Sequence, residues 1–120
     1  MLKINFAGAE FEYLEVAPKE EKYNGSYRRT LVVSCPPDAI SVDALNAMLT
    51  EKNLERITLT NTETGAMEIH EGYVLKMSCG IKSVEVAPET LDTPALHEER
   101  LMFQLGKRTY IEEQLHKLGL

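Results

Sequence analysis

The links between the apolar runs of this chain are short. Runs of strand length follow one another from residue 2 to residue 107, and one helical pattern interrupts them. A parallel strand pair needs a crossover of a dozen or more residues, whereas an antiparallel pair needs only a turn. Most gaps here hold a turn and no more. The chain is therefore expected to be α+β and mostly β. It should form an antiparallel curled sheet, or a small sandwich or barrel, with one central and one C-terminal helix packed against it. At 120 residues it is one domain, residues 1–120.

Leu2, Ile4 and Phe6 alternate up to a turn at Ala7–Ala9, and Phe11, Tyr13, Leu14 and Val16 follow until Pro18. Residues 19–27, "KEEKYNGSY", read as a charged loop turning at Asn24-Gly25. "RRTLVVSC" carries apolar groups on both faces, which suits a central strand, and Pro36-Pro37 stops it. Ser41 is the expected cap of a helix with the stripe Val42, Leu45, Met48 and Leu49, ending near Asn53 in left-handed conformation. "ERITLTNTETGAMEIH" reads as a hairpin. "GYVLKMSCG" and "IKSVEVAP" read as two strands broken at Gly80, and residues 87–99 as a long surface loop. "RLMFQLGK" is the last strand, and a sheet edge there could pair with another subunit. Thr109 and Glu112 have capping-box spacing, and Ile111, Leu115 and Leu118 form the stripe expected to be buried.

Thirteen basic residues face nineteen acidic ones, a formal charge of −6. That balance gives no overall attraction to nucleic acid or anionic lipid. "YRR" and "GKR" are isolated pairs. No apolar stretch has the form of a leader or the length of a membrane span, so the expected location is cytoplasmic when made.

Reactive residue types gather in "HEGYVLKMSCG", residues 70–80. In an extended chain His70 and Cys79 lie about 30 Å apart, at ~3.3 Å per residue. A nucleophile and its base must be in hydrogen-bond contact. Alternation places Cys79 with Leu75 and Met77 on an apolar face. Cys35 and Cys79 are expected as free thiols, not as a disulfide framework. His70, Cys35 and Cys79 lack metal-ligand spacing, and Asp92, His97, Glu98 and Glu99 read as a solvated acidic cluster. There is no phosphate loop or nucleophile elbow. The expectation is no enzyme, no cofactor and no catalytic or metal-binding residue.

The segments "RRTLVVS", "LERITLTNTETG", "HEGYVLKMS" and "LMFQLGKRTYIEEQL" resemble small tail, baseplate or adhesion-associated proteins of tailed phages and prophages of Gram-positive gut bacteria. The matching positions are Gly72, Tyr73 and Leu75, then Leu105, Glu112 and Leu115. The resemblance covers about the last two thirds of the chain. It implies a structural or assembly component of a phage tail, incorporated into a virion and working through protein contacts, including self-association at a sheet edge. Its relatives often continue past the last helix into a coiled coil, so no such stalk is expected within a sequence that stops at Leu120. Two other readings are a ligand- or glycan-binding module using Tyr23, Tyr27 or Tyr73, and an enzyme using Cys35 or Cys79.

Overall fold

The computed structural model describes residues 1–23 and 25–119. In chain order the elements are β1 (Leu2–Phe6), β2 (Ala9–Glu12), β3 (Glu15–Tyr23), β4 (Ser26–Cys35), α1 (Val42–Met48), α2 (Glu51–Leu54), β5 (Arg56–Asn61), β6 (Met67–Glu71), β7 (Leu75–Ala87), β8 (Leu96–Gly106) and α3 (Tyr110–Lys117). The strands form two antiparallel four-stranded sheets, β2-β1-β5-β6 and β3-β4-β8-β7. The fold is mostly β, with short helices.

The core lies where the two sheets share their apolar faces. In β4 and β8 it is built from cross-strand pairs: Leu31 opposite Leu105, Val33 opposite Phe103, and Cys35 opposite Leu101, all buried. Alternation along each strand puts every second residue on this face. The first sheet contributes Ile4, Phe6, Phe11, Ile57 and Leu59. Phe11 stands edge-on to Phe6 at 5.9 Å and meets Phe103 of the other sheet at 6.4 Å, joining the layers. Leu45, Leu49 and Leu54 close the core from the helices. Each such side chain contributes roughly 1.5–3 kcal/mol on burial.

Several local expectations are corrected. Pro18 does not end a strand: it sits inside β3, opposite Leu31. β3 is an edge, so the N–H that proline lacks would have faced no partner. Residues 19–27 are not a loop, because Lys19–Tyr23 pair with Ser26–Thr30. Their turn carries Gly25 at φ 81°, as expected of the Asn-Gly signal, while Asn24 itself lies outside the described residues. The central helix is two helices. The Leu49 N–H closes onto Asn46, and Thr50 then caps a second start by accepting from the Asn53 N–H. Asn53 lies inside α2 and donates from its side chain to the Met48 carbonyl.

The largest correction concerns β7 and β8. Gly80 does not break the chain: it pairs with Met102 in one continuous strand. Two irregularities fall elsewhere, between Lys76 and Ser78 and between Glu85 and Ala87, where Met77 and Val86 are the extra residues. The loop expected over 87–99 shrinks to residues 88–95, because His97, Glu98 and Glu99 belong to β8. β8 is not an edge either, since it lies between β4 and β7. Its pairing to β4 ends at Cys35 and Leu101, where Pro36-Pro37 stops β4. Beyond that point β7 and β8 continue alone as a two-stranded ribbon. The molecule measures 59 × 34 × 28 Å with a radius of gyration of 16.1 Å. A compact chain of this length would have a radius of about 13–14 Å.

Candidate interaction surfaces

α3 begins as its sequence requires. Thr109 accepts from the Glu112 N–H, and the Glu112 carboxylate accepts from the Thr109 N–H at 2.8 Å. Both halves of the capping box are made. Gly119 follows at φ 79°, the left-handed conformation that ends a helix.

The stripe is not buried, however. Ile111 is 70 % exposed and Leu118 74 %, and none of the helix residues is buried. The side turned to the body is the charged one. Glu112 and Glu113 are half-buried, and Glu113 and His116 line a cleft of about 530 Å³ between α3 and the segment after β6. An amphipathic helix normally does the reverse.

What holds α3 in this orientation is Arg28, whose side chain is fully buried. Its guanidinium donates to both Glu112 oxygens, to the Lys107 carbonyl at 3.0 Å and to the Tyr23 carbonyl at 2.8 Å. It also lies 5.7 Å from the Tyr23 ring centroid. The bidentate pair holds the Glu112 carboxyl at about 2, far below its ordinary 4.5, with the Thr109 N–H helping. One strand residue thus ties together the β3–β4 turn, the end of β8 and the helix. Sequence reading saw "YRR" only as a basic pair. The sequence carries one signal, that Arg28 falls on the strand face of Thr30, Val32 and Ser34; that Thr30 and Ser34 are buried is seen only in the fold.

Arg28 also floors a second, open cleft of about 410 Å³ where the start of β4 meets residues 107–110. Arg29, Lys107 and Arg108 line it, with Tyr27 and Tyr110 exposed and Glu20 its one carboxylate. Arg108 pairs with Glu51 at 2.6 Å. Arg29 and Lys107 have no carboxylate partner among the described residues. The Lys107 ammonium rests 5.2 Å from the Tyr73 ring centroid.

At the other end of the molecule the ribbon carries its apolar groups in the open. Ile81, Val86, Leu91 and Leu96 are all exposed. Residues 88–95 fold over a turn in which the Thr93 N–H donates to the Thr90 hydroxyl and the Thr90 N–H to the Thr93 carbonyl. Leu91 and Asp92 occupy its tip, and Leu91 is 106 % exposed.

The residues singled out for chemistry are not brought together. His70 lies in β6 of one sheet and Cys79 in β7 of the other. His70 stands edge-on to Tyr73 at 5.9 Å, with its Nε2 3.1 Å from Glu68 but out of line for a hydrogen bond. Cys79 shares the core face with Phe103, and burial raises its thiol above the ordinary value. Burial pushes the Cys35 thiol up to about 12. His97 lies opposite Glu85 across the ribbon, and Glu98 forms an ion pair with Arg100 along the same strand. Among the described residues no three His, Cys, Asp or Glu form a group that could hold a metal ion.

Tyr23, Tyr27 and Tyr73 make no common platform. Tyr73 is buried, and the register places Tyr23 and Tyr27 on opposite faces of their hairpin. No helix among the described residues is long and apolar enough to cross a membrane.

The class defined by this geometry is a two-sheet β protein with a projecting ribbon and an outward-turned terminal helix. No family model, curated protein or solved structure matches the chain.

Proposed function

We propose that the chain is a non-catalytic structural or assembly component acting through protein–protein contacts, of the kind that the phage-tail resemblance implies. The observation that carries this reading is α3. Its start is doubly capped and clamped by a buried arginine, yet its apolar stripe faces solvent. A helix secured by polar ties leaves its apolar side for another surface. The unsupported ribbon adds to this, because a two-stranded ribbon is marginal without something packed on it. The thiols, Cys35 buried and Cys79 partly buried, are both raised by burial, which weighs against a cysteine nucleophile.

The test is coexpression with the products of the neighbouring genes, followed by size-exclusion chromatography with light scattering. A defined stoichiometric complex, with itself or with a tail-gene product, is the expected result. A strictly monomeric protein that binds none of those products would overturn the reading.

A further inference from the structure

Resting on that assembly reading, we propose that the partner is a second copy of this chain, bound head to tail. The ribbon tip around Leu91 of one copy seats in the basic, tyrosine-flanked cleft between β4 and residues 107–110 of the next.

The two surfaces are complementary in charge. The ribbon, residues 81–100, carries Glu85, Glu89, Asp92, Glu98 and Glu99 against Lys82 and Arg100. Of the four cations lining the cleft, Arg28 and Arg108 are paired with Glu112 and Glu51, which leaves Arg29 and Lys107, without a carboxylate partner among the described residues, against Glu20. The surfaces also match in form. The tip is a shaped knob: its turn is closed by the Thr90–Thr93 hydrogen bonds and bracketed by Pro88 and Pro94. Little ordering therefore remains to be done on binding. Tyr27 and Tyr110 stand exposed at the cleft, an aromatic setting for the Leu91 side chain.

The contact cannot close within one chain. β8 runs from the ribbon end at Leu96 to Gly106 beside the cleft, 11 residues. At ~3.4 Å each that separates the two surfaces by about 35 Å along a paired strand. The knob alone covers less than the roughly 800 Å² per partner of a stable complex. The α3 stripe starts at Ile111, one residue past the cleft, and provides the remaining apolar area for Val86 and Leu96 of the ribbon. Since each copy uses a different surface at each end, the contact is heterologous and builds a ring or an open row.

Sedimentation velocity tests this with two variants, Leu91→Lys for the knob and Tyr27→Ser with Arg29→Glu for the cleft. All three positions are exposed, and thermal melts will show that the fold is kept. Wild-type protein should grow in mass with concentration and lose that growth at high salt. Each variant alone should stay monomeric, its association weakened about 30-fold or more. An equimolar mixture of the two variants should form a dimer and nothing larger, because one intact knob still meets one intact cleft. A monomeric wild type, variants that associate as the wild type does, or a mixture that stays monomeric would each overturn the head-to-tail contact. The assembly reading fails only if the neighbouring gene products also fail to bind.

Discussion

At the residue scale, Arg28 is the position on which most depends. Replacing it with methionine removes the side-chain donor from the Tyr23 and Lys107 carbonyls and leaves the Glu112 carboxylate with the Thr109 N–H alone. Removing one member of a fully buried pair typically costs about 3 kcal/mol and exposed pairs contribute about 1 kcal/mol or less; Arg28 is buried but Glu112 is partly exposed, so Arg28→Met is expected to lower stability by about 1–3 kcal/mol in urea denaturation. The pH dependence has a definite sign. Glu112 titrates at about 2 in the folded chain against an ordinary 4.5. Its contribution is therefore complete above about pH 4.5 and fades as pH falls toward 2. Urea midpoints measured between those values should drop more steeply in the wild type than in Arg28→Met. The two thiols give a separate check. With Cys35 pushed up to about 12 and Cys79 also raised, native protein at neutral pH should take up iodoacetamide slowly at Cys79 and not at Cys35. Unfolded protein should label at both, and mass spectrometry of the digested chain reads the difference. Fast native labelling at Cys35 would mean that the core between β4 and β8 is open.

At the element scale, the ribbon and the body are separable. No residue from Ile81 to Arg100 is buried. Replacing Ser83–Glu99 with Asn-Gly joins the paired Lys82 and Arg100 through a two-residue turn of the favoured kind. The shortened protein is expected to keep its circular dichroism and to melt within about 5 °C of the wild type, a change of ~1 kcal/mol or less. Several elements were legible in the sequence because their signals are local. The strand "RRTLVVSC" with its stop at Pro36-Pro37, the Ser41 cap and the Thr109 capping box are read from neighbours in the chain. The errors share a cause, which is that tertiary context decided them. Pro18 is tolerated because β3 happens to be an edge, and Gly80 is carried through because Met102 lies opposite. Residues 97–99 are strand because β7 is there to pair with them. The α3 stripe was misread for the same reason. Its 3.6-residue period says which residues share a side, and Arg28 decides which way that side points. The clefts were not legible at all, since one joins residues 55 and 71–74 to residues 107–116 and the other joins residues 27–29 to 107–110.

At the scale of the whole molecule, elongation is the measurable property. Small-angle scattering from dilute protein should give a radius of gyration near 16 Å, slightly raised by hydration, where a compact fold of this size would give about 13–14 Å. The Ser83–Glu99 replacement should bring the value down toward the compact figure. The path of β8 has a mechanical consequence. It is at once a strand of the ribbon and an inner strand of the body, paired to β4 from Leu101 to Gly106, and it leads through Lys107 into the clamped helix. Tension applied to the ribbon along the long axis pulls β8 lengthwise against β4. The hydrogen bonds of that ladder are then loaded together, as shear, and do not open one after another as in peeling. From Leu96 to Gly106 the strand runs without a break, so it passes the load from the ribbon to Lys107, whose carbonyl Arg28 holds.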